Sequence, residues 1–137
     1  MMNPPVRAFY SIFSDDLRQS RDWYVKLFGY QVAFDSDWFV HLQGPGNALL
    51  ELGILARGHE IIPQSHRGEP AGGMLTIVVN DVDVTFELVN ASSDVIIVEP
   101  PRNLFYGQRR MLLRDPNGLL IDVSSECPPD PDWLASL

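Results

Sequence analysis

Sliding the sequence over itself by 65 positions lays Phe9 on Met74, Asp15-Asp16 on Asn80-Asp81, Leu17 on Val82 and Tyr30 on Val95. The same order of events recurs in each half: an alternating apolar run, a polar stop able to cap a helix, an apolar stripe at helical spacing, and a second apolar run. A second match, at a shift of 71, lays Leu49-Leu50-Glu51-Leu52 on Leu120-Ile121-Asp122-Val123, so that six extra residues fall between Glu99 and Gln108. A repeat of this period marks a duplicated structural unit, in which each set of strands must bury its apolar side against a helix.

In the first half, residues 6–13 alternate as a strand and Ser14-Asp15-Asp16 supplies the cap. Residues 16–28 carry the stripe Leu17, Trp23, Tyr24, Leu27 and Phe28 of a helix that Gly29 ends. Residues 30–34, 38–43 and 48–55 are then of strand length, separated by Asp35-Ser36-Asp37 and Gly44-Pro45-Gly46-Asn47 as turns. The second half repeats the pattern with a strand at 74–79, a helix from Asn80-Asp81 to about Ser92, a strand at 95–98 and a hairpin turned by Asp115-Pro116-Asn117-Gly118. The fold class is therefore α+β, with two tandem βαβββ modules at about 6–55 and 74–126, a polar linker at 56–73 and a tail at 127–137. The proline-rich tail is expected to lack regular structure, with Trp133 and Leu134 free to dock.

Composition narrows the partners. Ten basic against 18 acidic residues give a net charge of -8, which repels nucleic acid and anionic lipid. No apolar run is long enough to span a bilayer, and Met1-Met2-Asn3-Pro4-Pro5 lacks a signal pattern. A cytoplasmic protein is expected, and the single Cys127 asks for no oxidising compartment.

The run from Asp16-Leu17 to Trp23-Tyr24, followed by Leu27-Phe28-Gly29-Tyr30, resembles the opening motif of the vicinal oxygen chelate superfamily, which includes glyoxalases, extradiol dioxygenases and bleomycin resistance proteins. Leu112-Leu113-Arg114-Asp115-Pro116-Asn117-Gly118-Leu119-Leu120-Ile121-Asp122 resembles its closing motif. The resemblance implies a curved, cup-like mixed sheet with helices outside, a small organic molecule in the cup, and a homodimer. It also implies four metal-ligand positions, which fall here on Phe9, Glu51, Met74 and Asp122. Phe9 offers no lone pair and Met74 only a thioether, so the four-ligand metal site is expected to be lost, leaving Glu51 and Asp122 to hold at most a weakly bound divalent ion. No other cofactor is implied.

With Phe9 and Met74 facing inward, strand alternation adds Ser11, Phe13, Thr76, Val78, Leu49, Gly53, Leu120 and Ser124, and assigns Ala8, Tyr10, Ile12, Leu50, Leu52, Leu75, Ile77, Ile121 and Val123 to the core. The residues expected to touch a ligand are Phe9, Ser11, Trp38, His41, Glu51, Met74, Thr76, Tyr106 and Asp122. A buried carboxylate needs a partner, for which Arg109, Arg110, His41 or a ligand cation are available, and a carboxyl whose pKa rises toward neutrality becomes a general base. His59 and His66 lie in the linker at a spacing that matches no compact metal motif. Two functions compete: a metal-independent binding protein for a small organic molecule, and a lyase, isomerase or dioxygenase that uses Glu51 and Asp122 as metal ligands or acid-base groups. A sensor or assembly module is a third.

Overall fold

The structure is a computed structural model that describes residues 2–137. It divides between Gly68 and Glu69 into two compact units. The first contains β1 (Tyr10–Ser14), α1 (Leu17–Phe28), β2 (Gln31–Asp35), β3 (Phe39–Gly44) and β4 (Asn47–Ala56), in the sheet order β1-β4-β3-β2. β1 runs parallel to β4 and the other pairs are antiparallel. The crossover through α1 permits the parallel pair, since strands joined by a tight turn run antiparallel. Asp16 caps α1 by accepting the Gln19 amide, and Gly29, at φ 72°, ends it by donating to the Val25 carbonyl.

The second unit repeats this plan with β5 (Leu75–Val78), α2 (Val82–Asn90), β6 (Ile96–Asn103), β7 (Gln108–Arg114) and β8 (Leu120–Glu126), ordered β5-β8-β7-β6 with β5 parallel to β8. Asp81 caps α2, and the Val82 amide donates to the Ser125 hydroxyl at 2.9 Å, tying the helix start to β8. Each unit thus has the βαβββ order expected from the repeat.

One face of each sheet is buried by its helix. Trp23, Tyr24 and Leu27 of α1 are buried, as are Ile12, Val40, Leu42, Leu52 and Ile54 of the first sheet. In the second unit the buried set is Val82 and Val89 of α2 with Met111, Leu113, Ile121 and Val123. The expected core is too long at three positions, because Ala8, Tyr10 and Leu50 are exposed. Ala8 precedes β1, Tyr10 is its first residue, and Leu50 lies in the irregular start of β4, where pairing jumps from Gln43 with Glu51 to Gly44 with Asn47. Gly44 is what lets Leu50 close down there, since a Cβ on it would sit 2.8 Å from Leu50 Cβ.

Two other expectations are corrected. The strand expected at 95–98 is longer: β6 runs on through Pro100-Pro101 to Asn103, taking in part of the inserted stretch, with irregular pairing between Ile97 and Arg102. Two prolines are tolerated there because β6 is an edge strand, where their missing amides break no ladder on the outer side. The tail is also regular, forming the short α3 (Pro131–Ala135) with Asp130 as its cap. Proline at the first helical position costs no hydrogen bond, so the proline count does not oppose this helix. Trp133 docks edge-on against Phe105, 5.5 Å between ring centres, and the Asp130 amide donates to the Phe105 carbonyl. The linker is pinned rather than loose: Ile62 is buried, Arg57 donates to the carbonyls of Phe13, Arg67 and Gly68, and Arg67 donates to those of His59 and Ile62.

Among the described residues no helix is long and apolar enough to cross a membrane. At the β7–β8 turn, the buried Asp115 carboxylate accepts the amides of Asn117 and Leu119 at 2.8 Å each. Asp115→Ala should therefore lower unfolding free energy by about 1–3 kcal/mol in urea denaturation, because two amides lose their acceptor, the second of them buried.

Candidate functional site

In the first unit, the sheet face turned away from α1 is decided by the alternation that sends Ile12, Val40, Leu42, Leu52 and Ile54 to the helix. It carries Ser11, Phe39, His41, Gln43, Glu51 and Gly53, in a register that pairs Gln43 with Glu51 and both His41 and Ser11 with Gly53. Gly53 is the sterically critical position. A Cβ built on it would meet Ser11 Oγ at 2.8 Å, Phe39 Cε1 at 3.1 Å and Phe9 Cε2 at 3.2 Å. Its missing side chain lets two rings close over the backbone.

Those rings belong to a continuous set. Phe9 lies 5.9 Å from the His41 ring, and Phe39 stacks on His41 at 6.3 Å with 10° between planes. Trp38 lies 5.5 Å from Phe39 and stacks on His59 at 4.9 Å, so one linker histidine joins this set through its ring.

At the edge of the rings sits Glu51, whose side chain is 7% exposed. Arg7 Nε donates to both carboxylate oxygens, at 3.0 and 2.8 Å, and Arg7 Nη2 makes a further short contact with Oε1. His41 Nε2 is 2.8 Å from the same Oε1, and the Arg7 guanidinium lies 4.8 Å from the centre of the Phe9 ring. Hydrogen bonding from Arg7, joined by that from His41, outweighs burial and holds the Glu51 pKa down at about 2. Of the partners expected from sequence for a buried carboxylate, His41 reaches Glu51. Arg109 instead pairs with Asp83, and Arg110 with Glu99 at 3.6 Å. Arg7 is the residue that sequence reasoning missed. The signal was present, since Arg7 precedes Phe9 by two and an extended chain puts both on one side.

The second unit treats its carboxylate differently. Asp122 is buried, and among the described residues it accepts only the Thr76 hydroxyl, at 3.2 Å, leaving Oδ1 without a hydrogen-bond partner. Burial raises its pKa, against smaller opposing effects of the Thr76 bond and the Arg110 charge. Arg110 also has a buried Nε without a partner. Met74, just before β5, is half exposed. Tyr106 lies at the β6–β7 hairpin tip, edge-on to Phe105 at 5.3 Å. Asp122 pairs with Leu112 and Glu126 with Gln108, so Tyr106 is beyond a four-residue stretch of strand, roughly 13 Å, from the register of Asp122. Its neighbour Phe105 carries the tail's Trp133.

The profile of the Glyoxalase/Bleomycin resistance protein/Dioxygenase superfamily matches residues 7–123. The chain belongs to this superfamily. No curated protein matches it significantly in sequence. Among solved structures, a glyoxalase/bleomycin resistance protein/dioxygenase family enzyme from Burkholderia phytofirmans PsJN is similar at 20% identity, with a TM-score of 0.72 over 87% of this chain and 97% of that one. A superfamily member from Sphaerobacter thermophilus DSM 20745 gives 22%, 0.71, 90% and 98% in the same order. TioX from Micromonospora sp. ML1 gives 21%, 0.65, 89% and 97%. At such identities the likeness establishes the fold.

The superfamily's four metal positions do not fit a metal in this member. Phe9 cannot ligate, Met74 is a soft donor, and Glu51 already spends both oxygens on Arg7 and His41. Among the described residues no three His, Cys, Asp or Glu side chains converge as a metal would require.

Because the folded pKa of Glu51 lies below its ordinary value of 4.5, its stabilising contribution is complete above about pH 4.5 and is lost as pH falls through about 2. Carbon-detected NMR titration should place the Glu51 midpoint near pH 2, and Arg7→Ala should move it upward by about one pH unit or more, since an adjacent guanidinium lowers a carboxyl pKa by roughly 1–3. Gly53→Ala should cost about 1–3 kcal/mol in thermal or chemical denaturation, by forcing Ser11, Phe9 and Phe39 off the backbone.

Proposed function

We propose that this superfamily member binds a flat small organic molecule on the ring-bearing face of its first sheet, and that it does so without a four-ligand metal site. The observation that carries the reading is the run of adjoining rings Phe9, His41, Phe39 and Trp38 beside a carboxylate that is already paired with Arg7. Aromatic faces give a ligand large contact area at little entropic cost, and the polar edge supplies orientation. Ser11 and Gln43 add hydrogen-bonding groups on the same face.

An enzymatic reading, as a lyase, isomerase or dioxygenase, draws support from Asp122 alone. A buried carboxyl with a raised pKa and a free oxygen is suited to proton transfer. Glu51, with a pKa near 2, is too weak a base for that role at neutral pH.

Titration with flat neutral amides, benzamide and 2-naphthamide, separates the readings. The Trp38 indole signal, assigned with Trp38→Phe, should shift saturably with one molecule per chain and should be indifferent to a chelator, while Trp133 stays in place. Binding that appears only after zinc, manganese or iron is added would overturn the metal-independent reading, and absence of saturable shifts with either amide would overturn the site.

A further inference from the structure

The contacts that Arg7 makes are those by which a protein recognises an organic cation. A guanidinium lies over an aromatic ring, 4.8 Å from the Phe9 centroid, while its Nε donates to both oxygens of a nearly buried carboxylate. His41 Nε2, 2.8 Å from Glu51 Oε1, holds the carboxylate in place. An aromatic plane and a fork-matched carboxylate together select a planar cation over a neutral or anionic group.

Arg7 is an occupant of this arrangement more than a part of its frame. It lies before β1, outside every strand and helix, and neighbouring Val6 is fully exposed. The Arg7 side chain is itself 54% exposed, against 7% for Glu51. Of the residues that receive it, Glu51 in β4 and His41 in β3 are built into the sheet, their strands held in fixed register, while Phe9 is the residue just before β1. The charged end of the receptor is thus fixed by strand pairing, and its filler hangs on an irregular segment.

The geometry points to Glu51, His41 and Phe9 as a recognition site for a planar organic cation of the amidinium or guanidinium class, which Arg7 fills and a ligand enters by displacing it. This rests on the proposed ring-lined binding face and specifies the charge of its ligand. A ligand with a flat apolar body would lie along Phe39 and Trp38 while its cationic end takes the place of the Arg7 guanidinium. Glu51 then remains paired throughout, because one cation replaces another and the buried carboxylate is never left alone. Arg7 also sets a threshold: a ligand lacking the cation recovers no bond to Glu51 and gains nothing by expelling it. The apparent affinity of a cationic ligand is reduced by the fraction of molecules in which Arg7 occupies the site.

The test uses benzamidine as the cation and benzamide as its neutral near-isostere, titrated into the full chain by calorimetry. Arg7→Ala should bind benzamidine at least about tenfold more tightly than the unaltered protein does, since the tethered competitor is gone. Benzamide should gain far less, and adding Glu51→Gln to Arg7→Ala should abolish the gain for benzamidine. An equal gain for both probes would overturn the cation reading while leaving an aromatic binding face intact. A benzamidine gain that survives Glu51→Gln, or benzamidine binding that is no tighter in Arg7→Ala, would overturn it as well. If Arg7→Ala weakens the fold, Arg7→Met keeps the apolar stem, and thermal denaturation gives a second readout. Benzamidine should raise the Tm of both variants more than that of the unaltered protein, and an equal rise in all three would count against the proposal. Failure of both probes in every variant would sink the ring-lined site together with its cation specificity.

Discussion

A four-stranded sheet supplied with one helix can cover one of its faces, and this constraint organises both units. The face that takes the helix must be continuously apolar, and it is, through Ile12, Val40, Leu42, Leu52 and Ile54 in the first sheet and Met111, Leu113, Ile121 and Val123 in the second. Strand alternation then dictates the other face residue by residue. In the first sheet that face collects rings and polar groups, among them Phe39, His41, Gln43 and Glu51. None of these is needed to hold α1, so they are available for chemistry.

The two carboxylates at matching positions of the repeat have been driven in opposite directions by their surroundings. Glu51 has a guanidinium and an imidazole at bonding distance, and its pKa falls to about 2. Asp122 has a hydroxyl at 3.2 Å and a cation engaged elsewhere, and burial pushes its pKa up. Duplication of a backbone plan therefore does not duplicate an electrostatic environment. A carboxylate buried on a strand is costly without a counter-charge, and the first unit meets that need with a residue from outside its own sheet.

Much of the fold was legible because its signals are local. Asp16, Gly29 and Asp81 mark helix ends by short-range hydrogen bonding, and the Asp115-Pro116-Asn117-Gly118 run closes a hairpin on the Asp115 carboxylate. Tyr10 and Leu50 obey the alternation yet are exposed, Tyr10 as the first residue of β1 and Leu50 where the pairing of β4 is irregular. The tail looked too rich in proline for a helix, but Pro131 stands at the one helical position that loses nothing by it.

From the sequence alone came the repeated βαβββ order, the family, and the side of the strand on which Glu51 and Asp122 lie. These follow from residue type and periodicity, which are properties of a chain read in order. Only the tertiary structure decided that Arg7 pairs with Glu51, that His41 bonds the same carboxylate, and that Arg109 and Arg110 turn to Asp83 and Glu99. Ion pairing depends on which side chains meet within a few ångströms across 34 or 44 residues of chain, and no local pattern encodes that distance.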